Sequence, residues 1–188
     1  TGFDHLDSGL LYRVYAYEFL KKSKDFSRIT NEKIDFSMFN SLDKLSNKNL
    51  RSEEVSKAAS LIAKNTHVRK SLIKIQREIA DHPKGGKGSV IDGRDITSVI
   101  IPKAEIKFYV DANIKIRAKR RQDQLKMPNE KFQEILVEMK KRDENDKKRK
   151  ISPLVKTSDS FFIDTSHISE DEVFKIALRE VKKKIDFI

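Results

Sequence analysis

Three short groups of polar residues have the types and spacings needed to bind a phosphorylated ligand. The first is DGRD at residues 92–95, directly after GSVI, an apolar run that fits a buried strand. In open α/β sheets, ligands lie beyond the carboxyl ends of the strands. Two carboxylates, an arginine and a glycine at that place suit a polar, anionic ligand. A turn with a local ion pair is the alternative interpretation.

The second group is RDENDKKRK at residues 142–150. If this segment lies at the end of a helix, Arg142, Asp146 and Arg149 share one face, because they occupy positions i, i+4 and i+7. Two guanidinium groups beside a carboxylate can bind a phosphate through the arginines and a sugar hydroxyl through the aspartate. A helical ion-pair ladder would have the same sequence pattern.

The third group is LDSGLLYR at residues 6–13, where a polar turn precedes a helix. Ser8 then lies near the helix N-terminus, a place that binds phosphate well, and Arg13 follows five residues later. Ser8 could equally act only as a helix cap.

Several other chemistries lack the residues they need. The chain has no cysteine, which excludes a disulfide framework, a thiolate metal site and a thiol nucleophile. The four histidines include no i, i+4 pair, so we expect no metal site made by the protein. The phosphate-loop pattern G-x-x-x-x-G-K-[ST] does not occur, although KGGKGS at residues 84–89 looks similar.

The composition indicates a partner of negative charge. The 188 residues carry a formal net charge of +11, and residues 115–150 hold 14 Lys or Arg against 7 Asp or Glu. A solvated helical face, a nucleotide site and an RNA-binding surface would all fit such a stretch. We expect a cytoplasmic protein, because the sequence has no apolar run of membrane-spanning length and its start does not look like a signal peptide.

The elements that must position these groups alternate between strands and helices, which predicts an α/β fold with a parallel sheet flanked by helices. Strands are predicted at residues 88–92, 105–111 and 161–164, and a second apolar run at 98–101 ends at Pro102. Six helices are predicted. Three have predicted bounds, residues 9–21, 52–64 and 112–126. Three have predicted starts only, at a cap on Thr66, at Pro128 and at the capping box SEDE at 169–172. Residues 22–50 are predicted to be a connector or small insertion.

Taken in this order, the segments resemble those of bacterial-type cytidylate kinases, which phosphorylate CMP and dCMP. The resemblance rests on LDSGLLYR (6–13), RSEEVSKAAS (51–60), VRKSLIKIQRE (68–78), VIDGRDI (90–96), KFYVDA (107–112), RAKRR (117–121), RDENDKKR (142–149), SPL (152–154) and FFIDTS (161–166). It implies the P-loop nucleoside monophosphate kinase fold, with a five-stranded parallel sheet, an acceptor-binding segment and a lid. The core would comprise residues 1–21 and 61–188, with the lid at about 118–150, and the acceptor-binding segment residues 22–60.

The resemblance also implies the reaction ATP + CMP to ADP + CDP with Mg²⁺, and a role for each matching residue. The residues implied to contact cytosine are Ser60, Arg69 and Asp95. Those implied to contact the sugar are Arg142 and Asp146, and those for the acceptor phosphate are Arg13, Arg94 and Arg149, with Ser8 nearby. The implied catalytic residues are Arg94, Arg142 and Arg149. The basic helix with Arg117, Arg120 and Arg121 would lead into the lid over ATP.

Two departures from the family pattern set further expectations. Family members begin with a strand and a P-loop, whereas this sequence starts after that point and has a short segment at residues 22–50. We therefore expect a truncated chain of an intact monomeric kinase, inactive as given. The alternatives are a non-catalytic homologue that binds CMP and a basic RNA-binding module, whose affinity would fall steeply with salt.

Overall fold

The computed structural model describes residues 2–22, 25, 39 and 48–185. These residues belong to two compact units, Thr1–Ile96 and Thr97–Ile188. The first unit contains β1 (Asp4–Asp7), α1 (Ser8–Lys22), α2 (Glu53–Ile62), α3 (Thr66–Asp81) and β2 (Ser89–Asp92). The second contains β3 (Phe108–Asp111), α4 (Ile114–Gln124), α5 (Phe132–Lys148), β4 (Phe161–Asp164) and α6 (Glu170–Lys182).

The first unit is a two-stranded parallel sheet with helices packed on a continuous apolar core. Strands β1 and β2 pair so that Asp7 lies opposite Asp92. The core joins the buried faces of α1, α2 and α3, with Leu11, Ile62 and Leu72 fully buried at its centre. Helix α2 begins at Ser52, whose side chain accepts a hydrogen bond from the backbone NH of Val55.

The second unit has the same strand arrangement but a smaller core under its helical hairpin. Strands β3 and β4 are parallel, with Asp111 opposite Asp164. Helices α4 and α5 pack through Ala118, Ile135 and Leu136, and these three form the buried cluster there. The turn between them is held by the buried Gln122, whose Nε2 donates to the carbonyl of Pro128 at 2.7 Å.

The predicted fold class is confirmed, since parallel strands are flanked by helices. The capping box is confirmed as well: Ser169 and Glu172 exchange the two reciprocal hydrogen bonds at the start of α6. In the described residues the strands form two pairs, not the five-stranded sheet that the resemblance implied. Strand β2 is not buried as predicted, because Val90 is 50% exposed.

Two elements were not predicted, and two local predictions need correction. Strand β1 had no predicted counterpart, and the apolar run at 98–101, to which no element was assigned, falls in a π-helical turn, Ile96–Ile100. Helix α3 is capped by Asn65, not Thr66, because the extended backbone of Asn65 lets its side chain accept from the NH groups of His67 and Val68. Pro128 precedes a short 3₁₀ turn, Asn129–Lys131, before α5 begins.

The predicted insertion lies mostly outside the described residues. Of its apolar residues, Phe36, Met38, Leu42 and Leu45 lie outside them, while Phe39 is described and buried in the first core. Within the described residues, no helix combines the length and apolar character needed to cross a membrane.

Candidate functional site

The carboxyl ends of β1 and β2 bring two of the predicted motifs together. Because Asp7 and Asp92 are in register, the residues that follow them, Ser8 and Gly93, lie side by side. A Cβ at residue 93 would lie 2.2 Å from Oγ of Ser8, so only glycine fits there. Ser8 is buried, at 4% exposure. The motifs DSG and DGR thus form one polar edge of the first sheet.

A buried ion pair lies behind this edge. The guanidinium of Arg69 on α3 contacts the carboxylate of Asp95, and the two side chains are 2% and 6% exposed. Nη1 of Arg69 also donates to the carbonyl of Ala63 at 3.1 Å, and its guanidinium lies 5.7 Å from the ring of Tyr12. Nε of Arg69 has no hydrogen-bond partner within the part of the chain that the structure describes. Two of the residues predicted to contact cytosine, Arg69 and Asp95, are therefore adjacent. Nε of Arg69 is a buried donor that a ligand acceptor could satisfy.

The third predicted cytosine contact, Ser60, and the predicted phosphate contact Arg13 lie on neighbouring helices. Ser60 is exposed on α2, where its hydroxyl donates to the carbonyl of Ser56 at 3.0 Å. Nη1 of Arg13, on α1, donates to the carbonyl of Leu50 at 3.0 Å and to Oγ of Ser56 at 2.6 Å. Arg94, between the glycine and aspartate of the DGRD motif, is half-buried.

The predicted sugar and phosphate residues of the second unit lie at the end of α5. Arg142 is exposed on this helix, four residues before Asp146. Arg149 caps the helix, its Nη1 lies 3.5 Å from Oδ1 of Asp146, and its Nε donates to the carbonyl of Ser152. The backbone NH of Leu154 donates to the carbonyl of Asp146 at 2.8 Å, which fixes the SPL segment against this helix end.

Arg117 is held by acceptors of its own unit. Its Nε donates to the carbonyl of Ala112 at 2.8 Å, and its Nη2 donates to Oδ2 of Asp143 on α5 at 2.6 Å. Burial lowers the pKa of Arg117, but its hydrogen bond to Asp143 and the nearby carboxylates raise the pKa above the usual arginine value. This arginine ties α4 to α5 and to the end of β3.

The other two basic residues of α4 face different partners. Arg120 donates to the hydroxyl of Thr165 at 3.1 Å and to its carbonyl at 2.6 Å, directly after β4. Arg121 donates to Gln124 of the same helix at 2.8 Å. A shallow cleft of about 420 Å³, open to solvent, lies between Arg120 and Thr165 on one side and the start of α6, with Ser169 and Glu170, on the other.

Strand β4 ends in a second polar edge. The carboxylate of Asp164 accepts from the hydroxyl of Ser166 at 2.5 Å and from its backbone NH at 2.9 Å. These hydrogen bonds lower the pKa of Asp164 below its usual range, and the bond from the Ser166 hydroxyl has the larger effect. The hydroxyl of Thr165 donates to the carbonyl of Asp111 at 3.2 Å, so the ends of β3 and β4 are joined.

Sequence reasoning missed several residues that hold the predicted ones in place. Ser56 bonds Arg13, Asp143 bonds Arg117, and Thr165 bonds Arg120. The partners of Arg13, Arg117 and Arg120 are 43, 26 and 45 residues away along the chain. Each of the three lies in a motif that carried the family resemblance, namely RSEEVSKAAS, RDENDKKR and FFIDTS, but none was singled out within its motif.

The sequence model of cytidylate kinase matches residues 1–183 of this chain. The cytidylate kinase of Paramagnetospirillum magneticum is 37% identical over 188 residues, covering 97% of this chain and 87% of that protein. That of Azorhizobium caulinodans is 38% identical over 186 residues, with the same coverage. That of Mycoplasma capricolum is 34% identical over 191 residues, covering 95% of this chain and 84% of that protein.

These matches and the α/β fold define a phosphotransferase of nucleotides. The chain belongs to the cytidylate kinase family. The predicted function, phosphoryl transfer from ATP to CMP or dCMP, is confirmed at the level of the family and is favoured over the RNA-binding and non-catalytic alternatives. The role of each individual residue stays a prediction.

Proposed function

We propose that this chain transfers the γ-phosphoryl group of MgATP to CMP or dCMP, as part of pyrimidine nucleotide metabolism. We propose further that it acts as a cytoplasmic monomer and forms no stable complex with nucleic acid. A phosphate oxygen of CMP attacks the γ-phosphorus of ATP, the bond from that phosphorus to the β–γ bridging oxygen breaks, and CDP and ADP form. Such a transfer needs positioning and charge neutralisation more than a side-chain nucleophile. The buried pair of Arg69 and Asp95 is the observation that carries the proposal.

The pair suits the edge of cytosine. A carboxylate such as Asp95 can accept from the cytosine amino group, and a guanidinium such as Arg69 can donate to the ring nitrogen and the carbonyl. Nε of Arg69 is a buried donor without a hydrogen-bond partner in the described residues, and a base acceptor would satisfy it. Ser60 would add a hydroxyl contact to the base from α2.

Three arginines would bind the phosphate of the acceptor nucleotide, and two other residues would bind its sugar. By the family pattern, Arg13, Arg94 and Arg149 would provide the positive charge, with the hydroxyl of Ser8 nearby. Arg142 and Asp146 provide a donor and an acceptor for sugar hydroxyls. Arg94, Arg142 and Arg149 would also neutralise the charge that develops on the transferred phosphoryl group, which makes them the proposed catalytic residues.

The donor nucleotide would lie with the basic helix of the second unit. The cleft beside Arg120 supports this assignment, since it is large enough for part of a nucleotide and has a guanidinium at its rim. Arg121 would add charge, and Arg117 would hold α4 in place through Asp143. In the described part of the chain, no cluster of three or more acidic or histidine side chains could hold a metal ion. We propose that Mg²⁺ enters as part of the substrate MgATP.

A ligand titration followed by thermal unfolding tests base recognition. A ligand that binds only the folded state raises its melting temperature by mass action. We expect CMP and dCMP to raise it in a saturable manner, and UMP and AMP to raise it much less. Equal shifts with CMP and UMP would remove cytosine recognition from the proposal. A salt-sensitive shift with RNA and none with CMP would favour the RNA-binding alternative.

A coupled assay of ADP release tests the chemistry. Turnover that depends on CMP and Mg²⁺ is the result expected of a cytidylate kinase. CMP binding without turnover would overturn the proposed phosphoryl transfer and favour a non-catalytic homologue that binds CMP.

A further inference from the structure

The hydroxyl of Ser56 is placed to fix the orientation of Arg13. It accepts a hydrogen bond from Nη1 of Arg13 at 2.6 Å, across the packed faces of α1 and α2. Its own proton is directed elsewhere, since Oγ of Ser56 donates to the carbonyl of Ser52 at 2.7 Å. A lone pair of the oxygen therefore faces the guanidinium. Ser56 was not among the residues that the sequence pointed to.

The same guanidinium nitrogen is also held by the backbone. Nη1 of Arg13 donates to the carbonyl of Leu50 at 3.0 Å, and Leu50 is buried in the core of the first unit. One end of the guanidinium fork is thus fixed by two acceptors on different segments. Arginine binds phosphate through its planar fork, so fixing one nitrogen sets the plane in which the others are presented. Less side-chain freedom then remains to be lost when the phosphate binds.

We propose that Ser56 is a positioning residue that preorganises Arg13 for the phosphate group of the acceptor nucleotide. This inference rests on the proposed function, in which Arg13 contacts that phosphate. It assigns Ser56 no contact with the nucleotide. Its effect should therefore depend on the phosphate of the ligand and not on the base or the sugar.

Calorimetric titrations with CMP and with cytidine, which lacks the phosphate, test the inference. We expect Ser56→Ala to weaken CMP binding about fivefold to tenfold, the net effect of losing one typical hydrogen bond. Cytidine binding should change less than about twofold. Ser56→Thr keeps a hydroxyl and should restore most of the CMP affinity. Ser71→Ala, a change of a partly buried serine on α3, is the matched control and should alter neither titration.

A purely structural role for Ser56 predicts a different result. If the bond only packs α1 against α2, Ser56→Ala will lower the melting temperature and shift the CMP and cytidine affinities alike, or leave both unchanged. Either outcome overturns the inference. Arg13→Ala separates this failure from failure of the proposed function. If Arg13→Ala weakens CMP binding and Ser56→Ala does not, only the inference is wrong; if Arg13→Ala has no effect on CMP, the proposed phosphate contact is wrong as well.

Discussion

The two units end their sheets in the same way and then use those ends differently. Each has a pair of parallel strands with one aspartate opposite another at the carboxyl end, Asp7 with Asp92 and Asp111 with Asp164. In the first unit Ser8 and Asp95 are buried beyond that point, and Asp95 pairs with Arg69 of α3. In the second unit the residues beyond that point bond to the strand ends, Thr165 to Asp111 and Ser166 to Asp164. The same edge therefore supports a buried ion pair in one unit and a local hydrogen-bond network in the other.

Burial separates Arg69 of the first unit from two arginines of the second. Arg69 is 2% exposed, and its partner Asp95 is buried as well. Arg120 and Arg142 are exposed on α4 and α5. A buried arginine with fixed partners discriminates between ligand shapes, because a wrong ligand leaves its hydrogen bonds unmade. Exposed arginines mainly supply charge and are screened by salt.

Removing Asp95 should have the largest effect in the molecule. Asp95→Ala leaves the guanidinium of Arg69 buried without its counter-ion, which costs about 3–5 kcal/mol of folding free energy. It also deletes the proposed acceptor for the cytosine amino group. Urea unfolding should show the loss of stability, and calorimetry should show a larger loss of CMP affinity than for Lys150→Ala, an exposed control in the second unit. Equal small effects of both changes would take Asp95 out of the site.

A methyl group at residue 93 should disturb the same edge less severely. The Cβ of Gly93→Ala would overlap Oγ of Ser8 and lie 3.0 Å from Cδ1 of Ile96, so the side chains of Ser8 and Ile96 or the strand end must move. Such overpacking costs about 1–3 kcal/mol. Gly9→Ala is the control, because its Cβ would meet only a carboxylate oxygen of Asp7, at 3.1 Å. If the two variants have the same unfolding midpoint in urea, the close approach of the strand ends does not constrain the edge.

These two predictions concern residues that the sequence did identify. DGRD was recognisable because it follows a predicted strand, and DSG because it forms a polar turn before a predicted helix. The capping box at Ser169 and Glu172 is a local pattern of the same kind. Local patterns depend on neighbours along the chain, which a sequence displays directly. The helix of Arg142 and Asp146 was likewise predictable from its spacing.

The remaining features depend on contacts between distant segments. Strand β1, DHLD, has four residues and two carboxylates, and it becomes a strand because β2 pairs with it. The apolar run at 98–101 is too short for its periodicity to distinguish a strand from a helical turn. The contact of Ser56 with Arg13 joins residues 43 positions apart, and no local sequence pattern around Ser56 predicts it.

In the second unit, substitution of Arg117 tests whether the hairpin of α4 and α5 is stabilised by an ion pair or by its small apolar core. Arg117→Gln removes the ion pair with Asp143 and should cost about 1–2 kcal/mol, less than a fully buried pair because the side chain is 25% exposed. Hydrogen exchange should quicken in α4 and α5 and not in α1 to α3. Arg121→Gln, which loses only a contact within its own helix, is the control. Unchanged exchange in α4 and α5 would assign the hairpin's stability to Ala118, Ile135 and Leu136.

The smallest effect we predict is a pH-dependent one at the other end of the second sheet. Nζ of Lys107, a residue only 8% exposed, donates to Asp159 at 2.5 Å. The hydrogen bonds that Asp159 accepts from Lys107 and Thr157 lower its pKa in the folded protein. A carboxylate with a lowered folded pKa adds stability above its unfolded pKa of about 3.9, and that stability is lost as the pH falls through the folded value. Asp159→Asn should therefore lower the urea midpoint more at pH 6 than near pH 3, which lies below the unfolded pKa, whereas Asp81→Asn at the exposed end of α3 should show no such difference. An equal decrease at both pH values would mean that the side chain of Asp159 acts through packing, because a contribution of charge must disappear once the carboxylate is protonated.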